Sequence, residues 1–110
     1  MIDWVQVATL RDDVGAEDFD EVVLCFLEEV EDTIARLLNA PSVTTIEADM
    51  HFLKGSALSL GFQDFATQCA KGEELAQHDK TGDLDLNALT SCYEQSKQNF
   101  LRELDQKFVA

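Results

Sequence analysis

Apolar side chains recur along most of this chain at spacings of three and four, the period of a helix that buries one face. The clearest run is Phe19, Val23, Phe26, Val30, Ile34 and Leu37, whose intervals are 4, 3, 4, 4 and 3. It predicts a helix from about Ala16 to Asn39, stopped by Ala40-Pro41-Ser42. Ahead of it, Asp3 with Gln6 three residues on has the capping-box pattern and opens a short helix that runs to the break at Asp12-Asp13-Val14-Gly15. Behind it, Thr44-Thr45-Ile46-Glu47 reads as a second box, with Thr44 accepting from the backbone while Glu47 reaches back. The helix it starts should continue to Leu60 and break near Gly61. A fourth should run from Phe62 or Gln63 to about His78, with Phe65, Cys69 and Leu75 or Ala76 facing inward. After the polar turn from Asp79 to Asp83, a last helix is expected over roughly Asp85 to Phe108, with Leu86, Leu89, Tyr93, Phe100, Leu104 and Phe108 as its apolar positions.

One proline and five glycines leave too little turn chemistry for a chain of short strands. Four amphipathic helices on short loops pack most simply as an all-α, antiparallel up-down-up-down bundle, with the short first helix capping one end. The length of 110 residues suits one core, so residues 1–110 are expected to form a single domain. There is no internal repeat, low-complexity tract or linker.

Charge narrows the choice of partners. Against 22 Asp and Glu stand 8 Lys and Arg, a formal charge of -14, while 45% hydrophobic content keeps the chain in the globular class. Such an excess repels phosphate backbones and anionic lipid, so neither nucleic acid nor a membrane is expected as partner. The longest apolar stretch, Val22 to Leu27, is six residues, far short of the roughly 20 that span a bilayer. Met1-Ile2-Asp3-Trp4 lacks the basic and apolar regions of a secretory leader, which predicts a cytoplasmic protein, and the Met1 start with a domain-length chain suggests a free-standing protein, with an excised domain as the alternative. Cys25, Cys69 and Cys92 form no metal-binding spacing and read as reduced, buried small hydrophobes.

The carboxylates are the most visible candidate chemistry. Eight of the 16 positions from Glu17 to Asp32 are acidic and none is basic. A di-iron bundle would need Glu-x-x-His pairs, but the residues three before His51 and His78 are Ala48 and Leu75. These acids fall mostly between the apolar positions and read as a solvated face, so no metal is expected. No glycine-rich phosphate loop and no Ser/His/Asp or Cys/His set is present, and the chain is not expected to hydrolyse ATP by itself or to use a cofactor. His78 sits beside the polar turn, where it suits a helix C-terminus and suggests nothing more.

His51 is different. On a helical wheel Ile46, Met50, Leu53, Ala57 and Leu60 cluster opposite it, which turns its imidazole to solvent beside Glu47, Ala48, Lys54, Gly55 and Leu58. A glycine in a helix interior costs about 1 kcal/mol relative to alanine. Gly55, one turn after the histidine, would return that cost as access, because a side chain there would crowd the ring. Lys54 places an ammonium within reach of an anion carried by the ring, and Ala48 with Leu58 leaves the face partly apolar, as a docking surface is.

The stretch from His51 through Lys54-Gly55-Ser56 to Gly61 resembles the signature of histidine-containing phosphotransfer (HPt) domains, H-x-L-K-G-S with a glycine ten residues after the histidine. The resemblance extends over roughly Asp18 to Leu104, including Phe26 to Glu29 and Gln68-Cys69. It implies a four-helix bundle that carries a phosphoryl group on His51 between the aspartates of response-regulator receiver domains, with a hybrid histidine kinase as a further partner. It also implies a monomeric phosphotransfer intermediate rather than an enzyme. Lys54 would neutralise phosphoryl oxygens, Gly55 would give the receiver room, and Ser56 would either fix the motif helix by a local hydrogen bond or simply pack. Glu47, Ala48 and Leu58 would belong to the docking patch. Some relatives carry a Gln that holds the imidazole at the place of Glu73. A Glu there either orients the ring, at the cost of repelling its phosphorylated form, or stands in solvent, and solvent is the expectation. The competing reading is a helical module that binds a receiver or kinase without carrying phosphate.

Overall fold

A computed structural model describes residues 2–40 and 44–108. Helix α1 spans Trp4–Val14, α2 Phe19–Asn39, α3 Ile46–Leu60, α4 Gln63–Gln77 and α5 Leu86–Lys107, with a 3-10 turn at Thr81–Asp83. Among the described residues extended pairing is limited to one isolated bridge between Ile2 and Phe62. The fold is all-α. Helices α2 to α5 make the four-helix bundle, in which α3 packs on α2 and α4, and α5 on α4 and α2; the short α1 lies across α3 and α2.

Local chemistry explains most of the boundaries. The Asp3 carboxylate accepts from the Gln6 N–H at 3.2 Å and starts α1, and Asp85 does the same for Ala88 at 3.0 Å at the start of α5. Helix α3 ends in a Schellman motif: the Phe62 N–H donates to the Ala57 carbonyl at 2.8 Å and the Gly61 N–H to that of Leu58 at 3.3 Å. Gly61 takes φ +74 there, and a Cβ on it would stand 2.5 Å from the Asp3 carbonyl oxygen. The same close approach lets the Asp3 N–H donate to the Gly61 carbonyl at 2.7 Å and seats α1 on the turn between α3 and α4.

Three expectations about helix bounds and faces are corrected. Helix α2 begins at Phe19 rather than Ala16, because Gly15 at φ +88 opens a turn and Phe19 is the first side chain with a core to enter. Phe26 flanks the buried stripe, and Leu27 takes the inward place. The N-cap of α3 is Thr45, so the box built on Thr44 and Glu47 is out of register by one residue. Pro41 and Ser42, which were expected to stop α2, lie outside the described residues.

The core runs through all five helices, with Phe62, Phe65, Tyr93 and Phe100 among its fully buried side chains and the Trp4 ring stacked on Phe100 at 5.5 Å. Cys69 is buried, and burial pushes its thiol up to about 12. Cys92 is half-buried, but Cys25 is exposed, contrary to expectation, because its position lies outside the buried stripe of α2. No helix of the described residues is long and apolar enough to cross a membrane.

Candidate functional site

His51 stands on the second turn of α3, and 71% of its side chain is open to solvent. Its Nδ1 lies 2.8 Å from Oε2 of Glu73 on α4. The other carboxylate oxygen, Oε1, accepts from the Lys54 ammonium at 2.5 Å. Glu73 thus bridges the two motif side chains across the α3–α4 seam, with only 13% of its own side chain exposed. The expectation that it stands in solvent is overturned.

The packing beneath accounts for the bridge. Gly72 is buried against Met50, and a Cβ there would meet Met50 Sδ at 2.7 Å and Leu84 Cδ1 at 3.0 Å. The missing side chain lets α4 approach α3 beside the histidine, which brings the next residue, Glu73, within reach of the ring. The start of α3 is held from its other side as well. Asp49, two residues before His51 and buried, receives a two-pronged contact from Arg36 of α2, at 3.1 and 2.5 Å. Sequence reasoning missed this pair. The signal was present, since Asp49 flanks the apolar stripe of Ile46, Met50 and Leu53, and a buried carboxylate requires a cation.

The electrostatics follow from those contacts. The Lys54 hydrogen bond, against the opposing effect of desolvation and with help from the bond to His51, holds the Glu73 carboxyl below the usual carboxylate range. An ionised carboxylate can only accept, so the bonded Nδ1 carries a proton. In a neutral ring the lone pair is then on Nε2. The arrangement presents one oriented nucleophilic nitrogen with an ammonium close by.

A family model described as Hpt domain matches residues 21–106. The chain belongs to the Hpt domain family. Hpt domains are phosphocarrier modules of phosphorelay signalling, partnered by receiver domains and kinases of two-component systems. Neither the curated proteins nor the solved structures compared with this chain gave a match. The matched segment begins inside α2 and ends inside α5, so α1 lies ahead of the Hpt match.

The remaining motif residues of this Hpt domain separate in space. Gly55 is exposed, and a Cβ on it would meet nothing within 4 Å, so no packing demand explains the glycine and no crowding of the ring by a single methyl does either. Ser56 is buried in the bundle. Gly61 lies ten residues, or about 15 Å of helix, beyond His51 and serves the turn into α4. Glu47, Ala48 and Leu58 are exposed on the histidine's side of α3. Leu58 and Lys54 also border an open groove of about 470 Å³ between α3 and α4, lined further by Gln63, Ala66, Thr67 and Ala70. Of the acidic run on α2, Glu31 is drawn into a contact: its Oε2 accepts from the Tyr93 hydroxyl and the Lys97 ammonium, each at 2.6 Å, tying α2 to α5.

Proposed function

We propose that this Hpt domain is a phosphohistidine carrier in which Nε2 of His51 takes a phosphoryl group from the aspartyl phosphate of one receiver domain and gives it to the aspartate of another. The observation that supports it most is the ring itself, exposed at the motif position with its Nδ1 held by Glu73, which leaves Nε2 as the nitrogen for the phosphoryl group.

The transfer is a displacement at phosphorus. The Nε2 lone pair forms the N–P bond as the acyl O–P bond of the receiver breaks, and the released electron pair leaves on the receiver's carboxylate. The proton stays on Nδ1, so the phosphorylated ring bears a positive charge that the Glu73 carboxylate faces directly. Lys54, already beside the ring, draws the phosphoryl oxygens by charge once it leaves Glu73. Transfer onward reverses each of these steps and returns a neutral imidazole. Gly55 keeps the surface clear for the receiver, whose docking patch includes Glu47, Ala48 and Leu58 beside the α3–α4 groove. Ser56 and Gly61 act through the fold of α3. The phosphoryl group comes from protein partners rather than from ATP bound here, and the chain acts as a monomeric intermediate without a cofactor.

The test is to mix the chain with a radiolabelled, phosphorylated receiver. Acid-labile, alkali-stable label should appear on the wild type and not on His51→Gln. A Gly55→Leu variant should keep the fold and transfer more slowly; equal rates would remove Gly55 from the receiver's path. A chain that binds receivers but never takes label would be the non-carrying module instead.

A further inference from the structure

The surface of α2 carries a second feature that phosphoryl transfer does not use. Val22, Cys25 and Phe26 form the floor of an open groove of about 450 Å³, edged by Asp18, Glu21 and Glu29. Positions 18, 22, 25 and 29 follow one another at steps of four, three and four, and 26 stands four beyond 22, so the apolar strip runs along the helix with acids at both ends. Val22 and Phe26 are half-buried and Cys25 is exposed, which leaves apolar surface uncovered. No Lys or Arg lies between Glu17 and Asp32 to neutralise the rim.

The groove is apart from the phosphoacceptor. Arg36 marks where α2 meets the start of α3 beside His51. Residues 18–29 precede Arg36 by 7 to 18 positions, or roughly 10–27 Å along the helix axis. His51 meanwhile lies on the α4 side of α3, against Glu73.

We propose that this groove docks a helical segment of a protein partner that has an apolar stripe flanked by Lys and Arg. A helix laid along α2 at about 8–10 Å between axes would cover Val22, Cys25 and Phe26. Its cations would meet Asp18, Glu21 and Glu29. Two copies of this chain pressed together at the same patch would instead oppose carboxylate to carboxylate. A partner held here leaves His51 open, so the site acts as a tether: it raises the effective concentration of a receiver linked to that segment without touching the transfer chemistry.

The probe is a fluorescein-labelled amphipathic peptide of Leu and Lys, long enough for about four helical turns. It is titrated into the full chain and followed by anisotropy and amide chemical shifts. Shifts should concentrate between Asp18 and Glu29, and the peptide should protect Cys25 from a thiol reagent. The double variant Glu21→Lys, Glu29→Lys should weaken binding at least about tenfold, with circular dichroism unchanged and label acceptance at His51 retained; tenfold corresponds to about 1.4 kcal/mol. A Ser-for-Leu peptide of equal charge should bind far less tightly. The proposal fails if that control binds equally, if shifts scatter over the other acids, if the double variant binds undiminished, or if the chain self-associates through this face.

Discussion

At the scale of single residues, His51 owes its orientation to one carboxylate. Removing the Glu73 side chain takes away the carboxylate that orients the ring and faces the positive charge developing on it, so Glu73→Ala should slow phosphoryl acceptance by roughly tenfold. Nitrogen NMR of the ring should show the Nδ1–H tautomer in the wild type and a mixture in the alanine variant. Glu73→Gln keeps an acceptor and should preserve the tautomer while losing the charge that faces the phosphorylated ring. An unchanged tautomer in Glu73→Ala would refute the positioning role. The exposure of His51 and the place of Lys54 beside it were legible because their spacing survives on a wheel whatever the fold does around them, whereas the crowding expected at Gly55 does not arise for a single methyl. The contact to Glu73 was not, because it depends on how closely α4 approaches α3, and that distance is set by Gly72 against Met50. A glycine inside a predicted helix beside a fully buried Met was the available clue.

At the scale of elements, the helices were readable and their ends less so. All five were located, α2, α4 and α5 by their apolar positions and α1 and α3 by capping patterns, whereas the start of α2 depends on a positive-φ Gly15 and on where the core begins. Two substitutions test what fixes α3. Gly61→Ala forces a side chain into the left-handed region and against the Asp3 carbonyl, and denaturant melts should show a loss of at least about 1–2 kcal/mol. Arg36→Ala leaves the buried Asp49 without its guanidinium and should shift the unfolding midpoint to lower denaturant in the same measurement. If the start of α3 also loosens, amide exchange near His51 should quicken in Arg36→Ala while the α3–α4 turn stays protected.

At the scale of the whole molecule, the charge of -14 constrains encounters more than it performs chemistry. Most of the acids are solvated, but Glu31 and Glu73 cross-link helices, and both titrate below their ordinary value of 4.5 in the folded chain. For Glu31 desolvation is the largest single influence and pushes upward, but the hydrogen bonds from Lys97 and Tyr93 and the charge of Lys97 together outweigh it. Depressed folded values mean that the unfolded chain binds more protons in acid. The stability these groups lend is complete above 4.5 and disappears as pH falls through the folded values. Thermal melts should therefore drop more steeply below that pH in the wild type than in a Glu31→Gln, Glu73→Gln double variant; parallel curves would exclude the two cross-links as the cause. The central claim is that His51 carries a phosphoryl group from one receiver to another, and a chase experiment addresses it. Chain labelled by a phosphorylated receiver is purified in alkali and mixed with a second, unlabelled receiver in the absence of nucleotide. The account requires that label leave His51 and appear on the second receiver's aspartate, with His51→Gln carrying none at any stage. Label that maps to another residue, or that His51→Gln still accepts and passes on, would contradict it.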